Sequence, residues 1–379
     1  MERPTRPSHL QRRFDCHQQY LERDHHIMKH RATGFGLIEL MIAMGIGLLV
    51  LAGVLVVFLT QRQAYQSSTS QALLQDSDNA LSAIISPLVR GAGFVGCSAI
   101  GNGVKTYVTA RATPLTFDTS SAIHGFKANT LPTPLIDGSA NDTSASDWTP
   151  ELDASLIAAG GVADGSDVLV LIGSAPGTAS VGAVAFGTGT ITANNASSSN
   201  GFVAPLMIAV SDCGKSSIFQ VNSVNTNVLT YSLGPNGTPL YPAGSQLIPI
   251  QQTALYVAKG SAHQSGLFEA IMKIPSGGSA ADASWSTSEI VPGVMNMQVL
   301  YGVGVNGQTT QYVNASAVTN WAAVTTIKLG FLIEGNPTSS NASTNQTTFK
   351  LFNTALTVPV DSRLRHIYYM TVNLRNATL

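Results

Sequence analysis

The chain has 379 residues, of which 44% are apolar and only 11% are charged, and its formal net charge is −1. So large an apolar fraction excludes a largely disordered chain, and the near-zero charge excludes a basic surface that coats nucleic acid. Globular domains average about 25% charged residues. In this chain Gly, Ser, Thr, Asn and Ala take the place of the missing charged residues. The length allows one large domain or two.

The charge is unevenly distributed along the chain. Residues 1–34 hold seven Lys and Arg residues against four Asp and Glu residues, a net of +3, so the remainder carries −4. An apolar segment follows directly, and residues 40–59 contain no charged or strongly polar side chain. A helix of that length spans about 30 Å, the thickness of a bilayer core. The basic flank predicts that the chain starts in the cytoplasm and that the remainder is exported.

Two other interpretations of the apolar segment remain open. A core helix of a soluble enzyme would be unusually long, and a cleaved secretory signal should have an apolar region of about 7–15 residues before an A-x-A-like site. The sequence FLTQRQAY that follows offers no such site. Glu39 interrupts the apolar pattern near its start, and a carboxylate near a membrane interior costs roughly 2.5–3.5 kcal/mol. Such a residue usually has a partner and a function, although Glu39 could also be solvated at the interface.

The sequence GFGLIEL at residues 34–40 resembles the cleavage motif of type IV prepilins, in which Gly precedes Phe and the fifth residue of the apolar run is Glu. The resemblance implies that a prepilin peptidase cuts between Gly34 and Phe35 and N-methylates Phe35. It also implies that Glu39 sets the register of assembly by pairing with the α-amino group of Phe35 in its own or a neighbouring subunit. Pilins usually have Thr or Ser in place of Gly36, and Met28 would start a shorter leader.

Apolar side chains continue at helical spacing after the apolar segment. They recur at steps of three, four and seven, at Leu74, Leu81, Ile84, Ile85 and Leu88. This is the stripe of an amphipathic helix, so we predict one helix from Phe35 to about Arg90 whose second half packs on a globular head. Pro87 should kink or end the last turn.

Short β-type runs bounded by turn residues follow from residue 95 onward. We predict strands at Val168–Ile172, Met207–Val210, Ile218–Val221, Asn227–Ser232, Ala254–Ala258, Leu267–Met272, Met297–Val303, Thr325–Ile333 and Tyr368–Leu374. Residues 221–233 and 253–272 read as hairpins, and 174–201, 233–238 and 335–348 as loops. The predicted fold class is α+β with a mostly antiparallel sheet. The predicted organisation is a leader at 1–34, a transmembrane or filament-core helix at 35–60, an amphipathic half at 61–93 and a β-rich exported head at 94–379.

Six later segments resemble blocks of the PilW group of large minor pilins. They are VRGAGFVGC, GSDVLVL, VSDCGKSSIFQV, VPGVMNMQVLYGV, WAAVTTIKLGFLIEG and YYMTVNLRN. The resemblance implies a type IV pilin-like fold and a minor subunit that primes pilus assembly near the tip, in pili that serve adhesion, twitching motility or DNA uptake.

The same resemblance implies where the chain acts and with what. It would sit in the inner membrane by a single span, with its head in the periplasm, and then enter the extracellular pilus. The implied partners are prepilin peptidase, major and minor pilins and the pilus assembly platform, with no cofactor. Whether the chain also binds nucleic acid is left open, since the head has no stripe of basic and aromatic residues that would support DNA contact. A type II secretion pseudopilin and a membrane-anchored exported adhesin or enzyme are the competing interpretations.

The chain has three cysteines, Cys16, Cys97 and Cys213. Cys16 would be lost with the leader, which leaves an even pair in an oxidising compartment. We therefore predict a disulfide between Cys97 and Cys213, with two independent buried thiols as the alternative. Two Cys without a His cluster do not make a zinc site, so no metal is expected.

No catalytic motif is found in the sequence. H-E-x-x-H and G-x-S-x-G do not occur, and CGKSS at 213–217 lacks the first Gly of a phosphate-binding loop. The chain is therefore expected not to be an enzyme, and no catalytic residue is assigned.

Overall fold

The computed structural model describes residues 36–97, 99–100, 104–106, 121–135, 144–183, 189–231, 241–260, 264–273, 284–305, 307–337 and 347–376. The chain divides into two compact units, residues 1–59 and 60–379. The helices of the described ranges are α1 (Leu37–Gly91) and the short α2 (Ala154–Gly160).

Strands make up most of the rest of the described chain. In chain order they are β1 (Lys105–Thr106), β2 (Ile123–Ala128), β3 (Trp148–Thr149), β4 (Val168–Ser174), β5 (Ala179–Ala183), β6 (Thr190–Asn194), β7 (Leu206–Ser211), β8 (Ser216–Asn225), β9 (Val228–Tyr231), β10 (Gln246–Lys259), β11 (Ser265–Lys273), β12 (Ser284–Pro292), β13 (Val294–Val305), β14 (Gln308–Val313), β15 (Val324–Pro337), β16 (Thr348–Leu351), β17 (Thr354–Thr357) and β18 (Arg363–Asn373).

These strands form one large sheet, one small sheet and a separate hairpin. The large sheet runs β1-β8-β9-β6-β5-β10-β4-β2-β3, with β7 pairing β8 and β10, and with β11 and β12 added beside β10. The small sheet runs β14-β13-β15-β18, and β16 pairs with β17. The named pairings are antiparallel except that of β1 with β8. The α+β class with a mostly antiparallel sheet is therefore confirmed.

The second half of α1 packs its predicted apolar stripe into the core between the sheets. Leu81 and Ile85 are fully buried, Leu74 is nearly so, and Ile84 and Leu88 are partly buried against the same cluster. The cluster also takes in side chains of β4, β10, β13 and β15. The predicted amphipathic pattern is confirmed, and Pro87 lies in the last turn before the helix ends at Gly91.

The nine predicted strands are all present, and both hairpins form as β8–β9 and β10–β11. In the first hairpin, Thr226 and Asn227 supply the positive φ values that a tight turn requires.

The prediction of a loop over 174–201 is wrong, since β5 and β6 lie within it and pair with each other. The residues of β5 are mostly small and weakly β-forming, and β6 is only five residues long, but Val181 and Ile191 are fully buried, so tertiary packing decides the conformation of both. The predicted loop at 335–348 is entered by β15 at one end and β16 at the other, and 233–238 lies outside the described residues.

Candidate functional site

The start of α1 carries the residue for which the sequence predicts a role in assembly. The carbonyl of Gly36 accepts the N–H groups of Glu39 (2.9 Å) and Leu40 (3.2 Å), which forms the first helical turn. Glu39 therefore lies in that first turn, where a carboxylate is favoured by the helix dipole. Its side chain is exposed and has no hydrogen-bond or ion-pair partner among the described residues. Gly34 and Phe35, the predicted cleavage and methylation residues, lie outside those residues.

The first part of α1 presents apolar side chains on all sides. Every residue from Leu37 to Leu59 is exposed, and Leu49 and Leu37 are more than 70% exposed. A helix that is apolar all round is stable in water only if something covers it, and lipid or other apolar helices are the usual cover. The helix is long and apolar enough to cross a membrane, so the apolar half of the predicted helix is confirmed and fits membrane anchoring.

Polar contacts supplement the apolar packing of the second half of α1. The Nε2 atom of His366, in β18, lies 2.9 Å and 3.0 Å from the two carboxylate oxygens of Asp78, within hydrogen-bond distance of both. Ser70 is nearly fully buried, and its hydroxyl donates to the carbonyl of Asn336 in β15 at 3.4 Å. These contacts tie the amphipathic half to β15 and β18, two strands of the small sheet.

The chain leaves α1 along the edge of β4 and is then held covalently. The N–H of Gly93, at a φ of 81°, donates to the carbonyl of Ile172 (2.8 Å). Cys97 then forms the predicted disulfide with Cys213, with the Cα atoms 4.7 Å apart. Cys213 sits in the β7–β8 turn, which Asp212 closes by accepting the N–H groups of residues 214 and 215. The CGKSS segment is thus a hairpin turn and not a strand-to-helix phosphate loop.

A network of charged groups lies at the start of β18. Arg365, whose side chain is 2% exposed, donates to Glu334 (3.1 Å) and to Asp361 (2.6 Å), and Arg363 donates to Glu334 (2.8 Å). Burial raises the pKa of Asp361, but the hydrogen bonds from Arg365 and from the backbone of Arg363 outweigh it, so that this pKa lies below its usual value. Sequence reasoning missed this cluster, although alternating Arg residues before an apolar strand were the signal.

A cleft of about 390 Å³ lies between the end of α1 and the large sheet, beside Pro87, Ser174, Gln251 and Glu269. Burial raises the pKa of the Glu269 carboxyl. The described residues that line the cleft include no His, Cys or Lys. Across the described part of the chain, no group of three His, Cys, Asp or Glu side chains is placed to hold a metal ion.

Comparison with known families gives two matches. The family described as Type IV Pilus-assembly protein W (PilW) matches residues 254–376, which contain β11 to β18 and the C-terminal end of β10. The family described as Prokaryotic N-terminal methylation motif matches residues 29–55, which contain Glu39 and the start of the exposed apolar helix. No curated protein and no solved structure matches the chain significantly. The chain is thus similar to the PilW family over residues 254–376 and to the prokaryotic N-terminal methylation motif over residues 29–55, both of which are type IV pilus-related.

Proposed function

We propose that this protein is a minor pilin of a type IV pilus. The observation that carries the proposal is the exposed apolar helix with a lone carboxylate, Glu39, in its first turn, inside the matched methylation motif. Such a helix must be covered, and the two covers are the inner membrane before assembly and the helices of other pilins afterwards. A secretion pseudopilin or an anchored adhesin would share the membrane cover, but an anchored adhesin would have no use for Glu39.

The processing step follows from the same motif. Cleavage between Gly34 and Phe35 by prepilin peptidase would remove the basic leader and create an α-amino group four residues before Glu39. That amine, methylated or not, carries the positive charge that a carboxylate in an apolar bundle needs. The pair would form between adjacent subunits and set their axial register in the filament. The positive leader would keep the N-terminal side in the cytoplasm, so that the head lies in the periplasm.

The large head favours a position at the start of the filament. The head is larger than the small sheet alone, because strands β5 to β9 of the large sheet form an additional lobe with its own apolar cluster. A shaft is built from many copies that must pack closely, whereas an initiating or capping subunit has free space on one side. The proposed role is therefore priming of assembly near the tip, in contact with other minor pilins and the assembly platform.

The test is charge removal at Glu39. Glu39→Gln and Glu39→Ala should insert into the inner membrane at wild-type levels but reduce surface pili and the amount of this protein in sheared filaments. Met41→Leu, a conservative change in the same turn, is the matched control and should leave both unchanged. Wild-type piliation and wild-type incorporation in both Glu39 variants would overturn the proposal.

A further inference from the structure

A lysine, an aspartate and a glutamine meet where the two sheets join. Lys127 comes from β2 of the large sheet, Asp167 directly precedes β4, and Gln298 comes from β13 of the small sheet. The Nζ of Lys127 lies 3.1 Å from Oδ1 of Asp167 and also contacts Oε1 of Gln298. Asp167 and Gln298 are each about 2% exposed, whereas the side chain of Lys127 is 20% exposed and borders a cavity.

The carboxamide of Gln298 is held in one orientation. Its Nε2 donates to the carbonyl of Gly165 (3.0 Å) and to Oδ1 of Asn296 (2.8 Å). Its Oε1 accepts from Lys127 and, at 3.2 Å, from the hydroxyl of Thr354. Because the carbonyl carbon is bonded directly to Oε1, this contact brings the lysine nitrogen to the carbonyl group of Gln298. Two donors on Oε1 also polarise the carbonyl toward attack.

Asp167 is placed to take a proton from the lysine. Its carboxylate accepts the N–H groups of Ala128 (3.1 Å) and Val299 (2.9 Å), which fix it beside Nζ. Burial raises its pKa, and the charge of Lys127 only partly opposes this shift. Burial that disfavours the charged carboxylate favours the transfer of a proton to it, and an amine that has given up a proton is a nucleophile.

We propose that Lys127 and Gln298 are joined by an intramolecular amide cross-link, formed by the protein's own residues with Asp167 as proton carrier. Nζ gives a proton to Asp167 and forms a bond to Cδ of Gln298, and negative charge develops on Oε1 beside the Thr354 hydroxyl. A second proton then passes from Nζ to Nε2 and the Cδ–Nε2 bond breaks, so that this nitrogen leaves as ammonia, takes the first proton from Asp167 and departs as ammonium. No oxidant or other reactant is needed. A cavity of about 270 Å³ adjoins Lys127, Asp167 and Gln298 and gives ammonia a way out.

The cross-link would connect strands of two different sheets. It would tie residue 127 to residue 298, and so would complement the disulfide, which ties the segment after α1 to the β7–β8 turn. A covalent tie between sheets resists pulling in a way that an ion pair does not. The ordinary alternative is a buried Lys–Asp pair with a hydrogen-bonded Gln, which has no covalent signature.

Peptide mapping distinguishes the two. The full-length protein, purified from its membrane, is reduced, denatured, digested with trypsin and analysed by tandem mass spectrometry. We expect no cleavage after Lys127, and a branched peptide that contains both Lys127 and Gln298 and weighs one ammonia less than the two parts. Cleavage after Lys127 together with a separate peptide that carries unmodified Gln298 in the wild-type protein would overturn the proposal.

Variants test the roles of the residues. Lys127→Arg and Asp167→Asn should each abolish the branched peptide, whereas Lys350→Arg, a matched change at an exposed lysine of β16, should retain it. A branched peptide formed to the wild-type extent in Asp167→Asn would refute the role of Asp167 as proton carrier. The wild-type map decides the cross-link itself even if a variant fails to fold.

Discussion

Removal of the Cys97–Cys213 disulfide is expected to destabilise the unit formed by residues 60–379 more than any single surface change. The two cysteines are 116 residues apart, and the loop that they close contains α2 and the strands from β1 to β7. A cross-link over a loop of that length lowers the entropy of the unfolded chain by an amount worth about 4–5 kcal/mol in the chain-entropy model. The variant that carries both Cys97→Ser and Cys213→Ser should lose most of that free energy of unfolding.

The assay is urea unfolding of the full chain in mild detergent, monitored by tryptophan fluorescence. The buried Trp148 and Trp285 become exposed on unfolding and provide the signal. Reductant provides an internal control, because it should lower the unfolding midpoint of the wild-type protein and leave that of the double variant unchanged. A loss below about 1 kcal/mol would refute the entropic reasoning. So would an equal effect of reductant on both proteins.

Three further changes probe the packing and the charges of the same unit. Leu81→Ala removes a fully buried side chain from the core under α1 and should cost about 3–5 kcal/mol in urea unfolding. Gly125→Ala places a Cβ atom in steric overlap with the hydroxyl of the fully buried Tyr301, so that ring must move, at a cost of about 1–3 kcal/mol in the same assay. Asp361, whose pKa is lowered in the folded state, contributes stability that is present above its unfolded pKa of about 3.9 and is lost as the pH falls through its lower folded pKa. Asp361→Asn should therefore flatten the fall in the unfolding midpoint below about pH 4.

Each of these changes has a matched control and a contrary outcome. Ser82→Ala, an exposed neighbour of Leu81 on α1, should change the free energy of unfolding by less than about 0.5 kcal/mol. Gly91→Ala adds a Cβ with no atom within 4 Å and should be neutral. Equal effects of Leu81→Ala and Ser82→Ala would contradict the packing of α1. Equal effects of Gly125→Ala and Gly91→Ala would contradict the close approach to Tyr301. An unchanged acid limb in Asp361→Asn would show that its arginine contacts do not stabilise the fold.

The local features of the fold could be predicted from the sequence because they depend on near neighbours. Periodic apolar residues define α1, and the alternating pattern of Val228–Tyr231 with Thr226 and Asn227 in front defines a hairpin. The disulfide followed from counting cysteines once the leader was set aside. Strand β5 was missed because Ala, Gly and Ser give it little intrinsic preference, and β6 was missed because it is only five residues long; packing partners stabilise both as strands.

The contacts between residues far apart in the chain could not be predicted from a single sequence. Asp78 and His366 are 288 residues apart, and Lys127 and Gln298 are 171 apart, so no spacing rule connects them. These pairs depend on the order of strands in the sheets, which a list of strands does not determine. Glu39 could be singled out as a candidate because a carboxylate inside an apolar run has to be explained wherever the run is placed, and its role stays a prediction.

Mass spectrometry of sheared surface filaments tests the central claim most directly. If the protein is a processed minor pilin, the sheared fraction contains it in small amounts, and its N-terminal peptide begins at a methylated Phe35. The protein confined to the membrane fraction with residues before Phe35 still attached, in cells that make normal pili, would contradict the account.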